Sequence, residues 1–118
     1  MVVSYNKGPI EAIARDIMGR YGSPSHALFL DERTYKSALE FRNGSQYELN
    51  SSMFTFGYTG TGCDNTSYLL EQLGFAKIDL SNITCPARLS KDGKWLPFTV
   101  SARTSTMAAF FSWWRRAR

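Results

Sequence analysis

The chain is predicted to be α+β, with a mostly antiparallel sheet of about four to six short strands, three helices packed on it, and one domain over residues 1–118. Three observations predict this. Apolar residues recur at three- and four-residue spacing near both ends and after a central glycine cluster, which is the helical period. Between these segments lie short β-prone runs separated by tight-turn sequences such as Asn43-Gly44. A length of 118 residues, 43% hydrophobic and 14% aromatic, supports one packed core and not two.

Residues 9–21 read as the first helix. Ile10, Ile13, Ala14, Ile17, Met18 and Tyr21 share one face, Pro9 suits a first turn and Gly22 suits the stop. Arg15, Asp16 and Arg20 fall off that stripe onto a solvated face, with an anion contact as the alternative. Residues 27–30 read as a strand and residues 35–49 as a hairpin, with Leu39, Phe41, Tyr47 and Leu49 flanking the Asn43-Gly44 turn. A further strand is predicted over 53–56, followed by the glycine cluster and a helix over 65–73. Gly74 and Phe75 close that helix as a C-cap glycine and its apolar contact. Residues 76–85 are ambiguous, with a strand over 77–80 and then a turn. Residues 91–94 form a turn and 95–100 a strand.

The last predicted helix covers 104–118. Met107, Phe110, Phe111 and Trp114 share a face, Thr104 or Ser105 caps the start, and Arg115, Arg116 and Arg118 complement the C-terminal end of the helix dipole. This spacing suits docking on the sheet or a second subunit; aromatics beside arginines also suit a membrane surface or nucleic acid. Helices from the two ends can cover one sheet face and leave the other for a ligand or a second copy.

Composition narrows the function classes. The formal net charge is +4 with an isoelectric point near 9.3, compatible with an anionic partner, although the three C-terminal arginines supply most of the excess. No apolar run has the length of a signal peptide core or a membrane span, so a cytoplasmic, non-membrane protein is expected. Cys63, Cys85 and the single His26 are too few for a structural zinc site, and the expectation is free thiols, no metal and no cofactor. His26 follows the turn Ser23-Pro24-Ser25 and is expected exposed or at a strand edge. Asp31 and Glu32 are adjacent and point apart. These residues suggest no nucleophile–base pair and no paired acids, and a binding protein is favoured over an enzyme.

The most unusual stretch is 56–65, "FGYTGTGCDN", with three of the nine glycines in six residues. Glycine so dense implies positive φ, expected at Gly60 or Gly62, or a place where something approaches the main chain closely. The pattern fits neither a P-loop, which needs Lys after the last glycine, nor a dinucleotide fingerprint, which needs Gly where Asn65 stands. Asp64 sits where a helix N-cap would be, so a capped turn and a ligand-contacting loop both remain open.

With "FGYTGTGCDNTSYLL" the chain resembles a group of small phage and bacterial proteins that carry an aromatic residue, Gly-Tyr-Gly-Gly-x-Gly-Pro and a short leucine-rich helix. Phe56, Gly57, Tyr58, Gly60 and Gly62 match, while Thr59 replaces a glycine and Cys63 the proline. In size and layout the chain is also similar to phage anti-Thoeris proteins. Those act as nucleotide sponges, oligomeric proteins that hold cyclic ADP-ribose-like defence signals without cleaving them. That similarity implies a phage protein in the bacterial cytoplasm, a homo-oligomer and a nucleotide-like ligand. The residues on which such a ligand is expected are Tyr58, Thr59, Gly60, Thr61 and Gly62 of the loop, with Tyr58 or Phe75 stacking on a base and Arg103 and Arg20 meeting phosphate. The competing expectations are a nucleic-acid-binding accessory protein using Trp113 and the C-terminal arginines, and an inhibitor that docks on a host protein through the aromatic helix.

Overall fold

The computed structural model describes residues 7–96. The expected helix over 104–118, the strand residues 97–100 and Arg103 lie outside the described residues. Among those described there are two helices and one five-stranded antiparallel sheet, so the α+β class is observed with two of the three expected helices.

Helix α1 spans Lys7–Tyr21. Its apolar face is narrower than the spacing predicts: Ile10, Ala14 and Ile17 are buried, whereas Met18 and Tyr21 are exposed. Tyr21 instead leans over the sheet margin, its ring 5.9 Å from Phe41 and 5.5 Å from Tyr47. Gly22 adopts φ 85 and returns its N–H to the Met18 carbonyl, the expected stop.

The sheet comprises β1 (His26–Asp31), β2 (Lys36–Glu40), β3 (Gln46–Glu48), β4 (Ala87–Ser90) and β5 (Trp95–Leu96), in spatial order β3-β2-β1-β4-β5. The Asn43-Gly44 hairpin forms as read: Gly44 has φ 87 and donates to the Phe41 carbonyl. β4 is the strand that sequence reasoning missed. Ala-Arg-Leu-Ser has no β-branched or aromatic residue to mark it, and its place is decided by pairing with β1, Ala27 opposite Leu89. The expected strand over 77–80 does not form. Asp79 folds back to accept from Ser81, and the Leu80 carbonyl accepts from Gly57.

Helix α2 spans Thr61–Gln72 and packs beside α1. Lys7 lies 5.6 Å from the centre of the Tyr68 ring, and the Tyr68 hydroxyl donates to Glu11, tying the two helices. Phe75 N–H donates to the Leu70 carbonyl and Gly74, at φ 96, to Glu71, the expected glycine stop.

Strand alternation divides the sheet into two faces. Ala27, Phe29, Leu39 and Leu89 point to the helices and form one core with Ile10, Ile17, Phe54, Phe56, Leu69 and Leu73. His26, Leu28, Lys36, Ala38, Glu40, Glu48 and Arg88 point the other way. On that outer face Lys36 bonds Glu48 at 2.6 Å. Arg88 reaches from β4 across β1 to Glu40 on β2 at 2.9 Å, and Leu28 and Ala38 on the same face are buried.

His26 is the first residue of the central strand and half-buried, where the sequence suggested an exposed or edge position. Its Nδ1 lies 2.9 Å from Ser25 Oγ and 3.3 Å from Glu40 Oε1. Burial, then the Arg88 charge, lower its pKa below 6.5, against the opposing pull of Glu40. The unfolded chain therefore takes up this proton first as pH falls. Stability should decline below about pH 6.5 until the folded histidine also titrates. Urea midpoints measured from pH 7.5 to 5 should show that decline, and His26→Gln should flatten it.

Phe29 joins the sheet to the helix layer, its ring 4.9 Å from Phe56 and 5.8 Å from Trp95. Phe29→Ala should cost about 3–5 kcal/mol, read as a lowered urea midpoint with unchanged slope.

Candidate functional site

Residues 53–56 are not a strand. Their backbone is claimed by α2 instead of a sheet ladder: Asn65 Nδ2 donates to the Met53 carbonyl at 3.0 Å, Thr66 Oγ1 to the Thr55 carbonyl at 2.7 Å, and Thr55 N–H to the Gly62 carbonyl at 3.3 Å. Phe54 and Phe56 are thereby buried in the core. The chain then reverses at Gly57, the one glycine of the cluster in the left-handed region, with φ 87 and its N–H on the Leu80 carbonyl at 2.8 Å.

The expectation of positive φ at Gly60 or Gly62 is corrected. Gly60 is extended, at φ 173, and Gly62 belongs to the first turn of α2. Both are needed for close approach instead. A Cβ on Gly60 would sit 2.6 Å from Cε2 of Tyr58, and one on Gly62 would overlap Thr55 Oγ1. The glycine density therefore reports a side chain folded onto the turn and a chain crossing beneath it.

Gly60 is the N-cap of α2, and no side chain caps the helix. Asp64, expected at the cap, lies in the first turn, its N–H bonded to the Gly60 carbonyl at 3.0 Å. The helix begins four residues earlier than predicted because Thr61 and Gly62 continue into it. The amides of Thr61, Gly62 and Cys63 precede the first intrahelical donor, at the positive end of the helix dipole.

Tyr58 is displayed beside this helix start, 41% exposed. Its hydroxyl accepts from Thr55 Oγ1 at 2.9 Å, and its ring edge rests on Gly60, so two contacts hold the ring. Tyr35, from the β1–β2 turn, stands against it with ring centres 5.8 Å apart at 50°, and also meets Phe56 edge-on at 6.0 Å. A line of rings thus runs from Trp95 through Phe29, Phe56 and Tyr35 to Tyr58. Tyr35 adopts φ 56 and is the single non-glycine with positive φ among the described residues.

Charge around this corner is mixed. Asp31 accepts from the Arg33 amide, which holds its carboxyl below the usual range. Arg33 is 89% exposed at the side chain, 3.9 Å from Asp31, and is the cation of the β1–β2 turn. Glu32 lies against Gly57 and receives the Cys85 thiol, whose pKa is pushed up to about 12 by burial and then by that carboxylate. Cys63 is likewise raised, by burial and then Asp64. Both cysteines are free thiols, protonated at neutral pH. Among the described residues no three His, Cys, Asp or Glu side chains gather within reach of a metal ion.

The residues expected at the site thus divide. Tyr58, Thr59, Gly60, Thr61 and Gly62 form one exposed turn at the start of α2. Phe75 does not join it as a stacking ring: it is buried in the core, with Lys91 Nζ 5.8 Å from its centre. Arg20 is exposed on α1 and bonded to Asp16 at 2.8 Å. Arg103 lies outside the described residues. Tyr35 and Thr55 were missed. Tyr35 is distant in sequence from the loop, and only pairing of the neighbouring strands brings it there; Thr55 gave no signal beyond its place before the glycines.

Gly62→Ala should be strongly destabilising, although alanine favours a helix interior by about 1 kcal/mol over glycine, because the added carbon overlaps Thr55 Oγ1. Adding Thr55→Ala should recover part of the loss, giving non-additive urea midpoints. Gly60→Ala should be milder, since Tyr58 can swing away.

Comparison with protein-family models, curated proteins and solved structures finds no match to this chain.

Proposed function

We propose that the protein binds a nucleotide-like small molecule at the Tyr58 corner and holds it without cleaving it. The observation that carries this reading is the exposed Tyr58 ring, held by Thr55 and Gly60 directly beside an uncapped helix start. An aromatic plane takes a base, and free amides at a helix start take an anionic group. The two lie within one turn of chain.

The surrounding charges set the balance between these contributions. Asp31, Glu32 and Asp64 offset Arg33, so stacking, more than Coulomb attraction, supplies the affinity. In the specific form of this reading the protein is a phage sponge that withdraws a cyclic ADP-ribose-like immune signal from the bacterial cytoplasm, acting as a homo-oligomer. The similarity to such sponges in size and layout, and the ring beside helix amides at the corner, support that form.

Calorimetric titration with cyclic ADP-ribose, AMP and single-stranded DNA at two salt concentrations tests the proposal. Nucleotide binding should weaken little with salt, whereas a nucleic-acid binder would lose affinity steeply. Tyr58→Ala should remove about 1–3 kcal/mol of nucleotide affinity, the range for one stacked base, and mass spectrometry should recover the nucleotide intact after denaturation. Unchanged affinity in Tyr58→Ala, or recovery of a cleaved nucleotide, would overturn it.

A further inference from the structure

The left-handed backbone of Tyr35 is the conformation least expected of a bulky aromatic residue, and glycine or asparagine would adopt it readily. Such outliers persist where surrounding structure over-determines them, and they cluster at binding and catalytic sites. Two rings stand against Tyr35. Phe56 meets it edge-on at 6.0 Å from inside the core, and Tyr58 meets it at 5.8 Å from the exposed turn. Tyr35 therefore links a buried ring to an exposed one.

We infer that Tyr35 is a positioning residue that fixes the tilt of the Tyr58 ring for stacking on a planar base, an inference that rests on the functional reading above. Tyr35 does not itself sandwich the base. A third ring between two others needs about 7 Å, two van der Waals contacts, and the observed 5.8 Å is too close. The base lies instead over the open side of Tyr58, and Tyr35 acts through that ring. Without Tyr35 the Tyr58 side chain keeps its hydroxyl tether to Thr55 and its edge on Gly60, but loses the lateral support that selects one tilt.

Tyr35→Gly and Tyr35→Asn test this without forcing the backbone, since both residues accept its φ, and Tyr35→Phe keeps the ring. Two measurements are made on each variant in the full chain: the relative Overhauser intensities from Gly60 and Thr55 protons to the Tyr58 ring in the free protein, which follow its tilt and not the ring current of Tyr35, and AMP affinity by calorimetry. The expected result is that Tyr35→Gly and Tyr35→Asn change those intensities and weaken AMP by about tenfold, while Tyr35→Phe matches the unsubstituted protein in both. Unchanged intensities, or changed intensities with AMP affinity unchanged, would overturn the positioning role. Equal loss of affinity in Tyr35→Phe would overturn it too, by assigning the effect to the hydroxyl. An unsubstituted protein that does not bind AMP, or binds it independently of Tyr58, would overturn the functional reading, and the positioning role in base stacking with it; the Overhauser intensities then show separately whether Tyr35 sets the tilt of Tyr58.

Discussion

The contact on which the arrangement depends is the crossing of Thr55 over Gly62. Because no side chain stands on Gly62, the 53–56 segment lies directly on the first turn of α2, and the two exchange hydrogen bonds through Thr55, Asn65 and Thr66. This crossing seats Phe54 and Phe56 in the core and turns the next exposed ring, Tyr58, outward. A buried layer and a displayed side chain are set by one close approach.

The remainder of the architecture supports that crossing from two sides. α1 and α2 cover the Phe29 face of the sheet, and the ring of Phe29 carries the contact from the strands to Phe56. The opposite face is organised differently, by Lys36 with Glu48 and by Arg88 with Glu40 and His26. Pairs of this kind contribute modestly to stability when partly solvated, but each requires the correct strand register. Arg88 reaching across β1 to Glu40 fits only the observed placement of β4 beside the central strand.

The elements most legible in the sequence were those whose local signals agreed with their tertiary setting. α1, the Asn43-Gly44 hairpin and the Gly74 stop carry period, turn and cap residues that need no distant partner to act. The glycine cluster was legible as a site of close approach, but its mechanism was not, since the partner of Gly62 is a threonine seven positions earlier and that of Gly60 is a tyrosine that folds back. β4 and Tyr35 were illegible for a shared reason. Each is decided by pairing with β1 or its neighbour, and neither bears an unusual residue pattern of its own. Conversely, Phe54-Thr55-Phe56 has the composition of a strand, yet its backbone bonds run to Asn50, to the Gly62 carbonyl and to the Thr66 hydroxyl, and not to a sheet ladder.

The brevity of β3 has a consequence for how copies of this chain can associate. Only Gln46, Tyr47 and Glu48 form that margin of the sheet, and Glu48 is committed to Lys36. So short a border offers an incoming strand little main chain to pair with, and brevity of edge strands is one way natural sheets resist being lengthened into fibrils. Self-association of this fold is thereby steered away from strand addition at β3 and toward contacts between side chains.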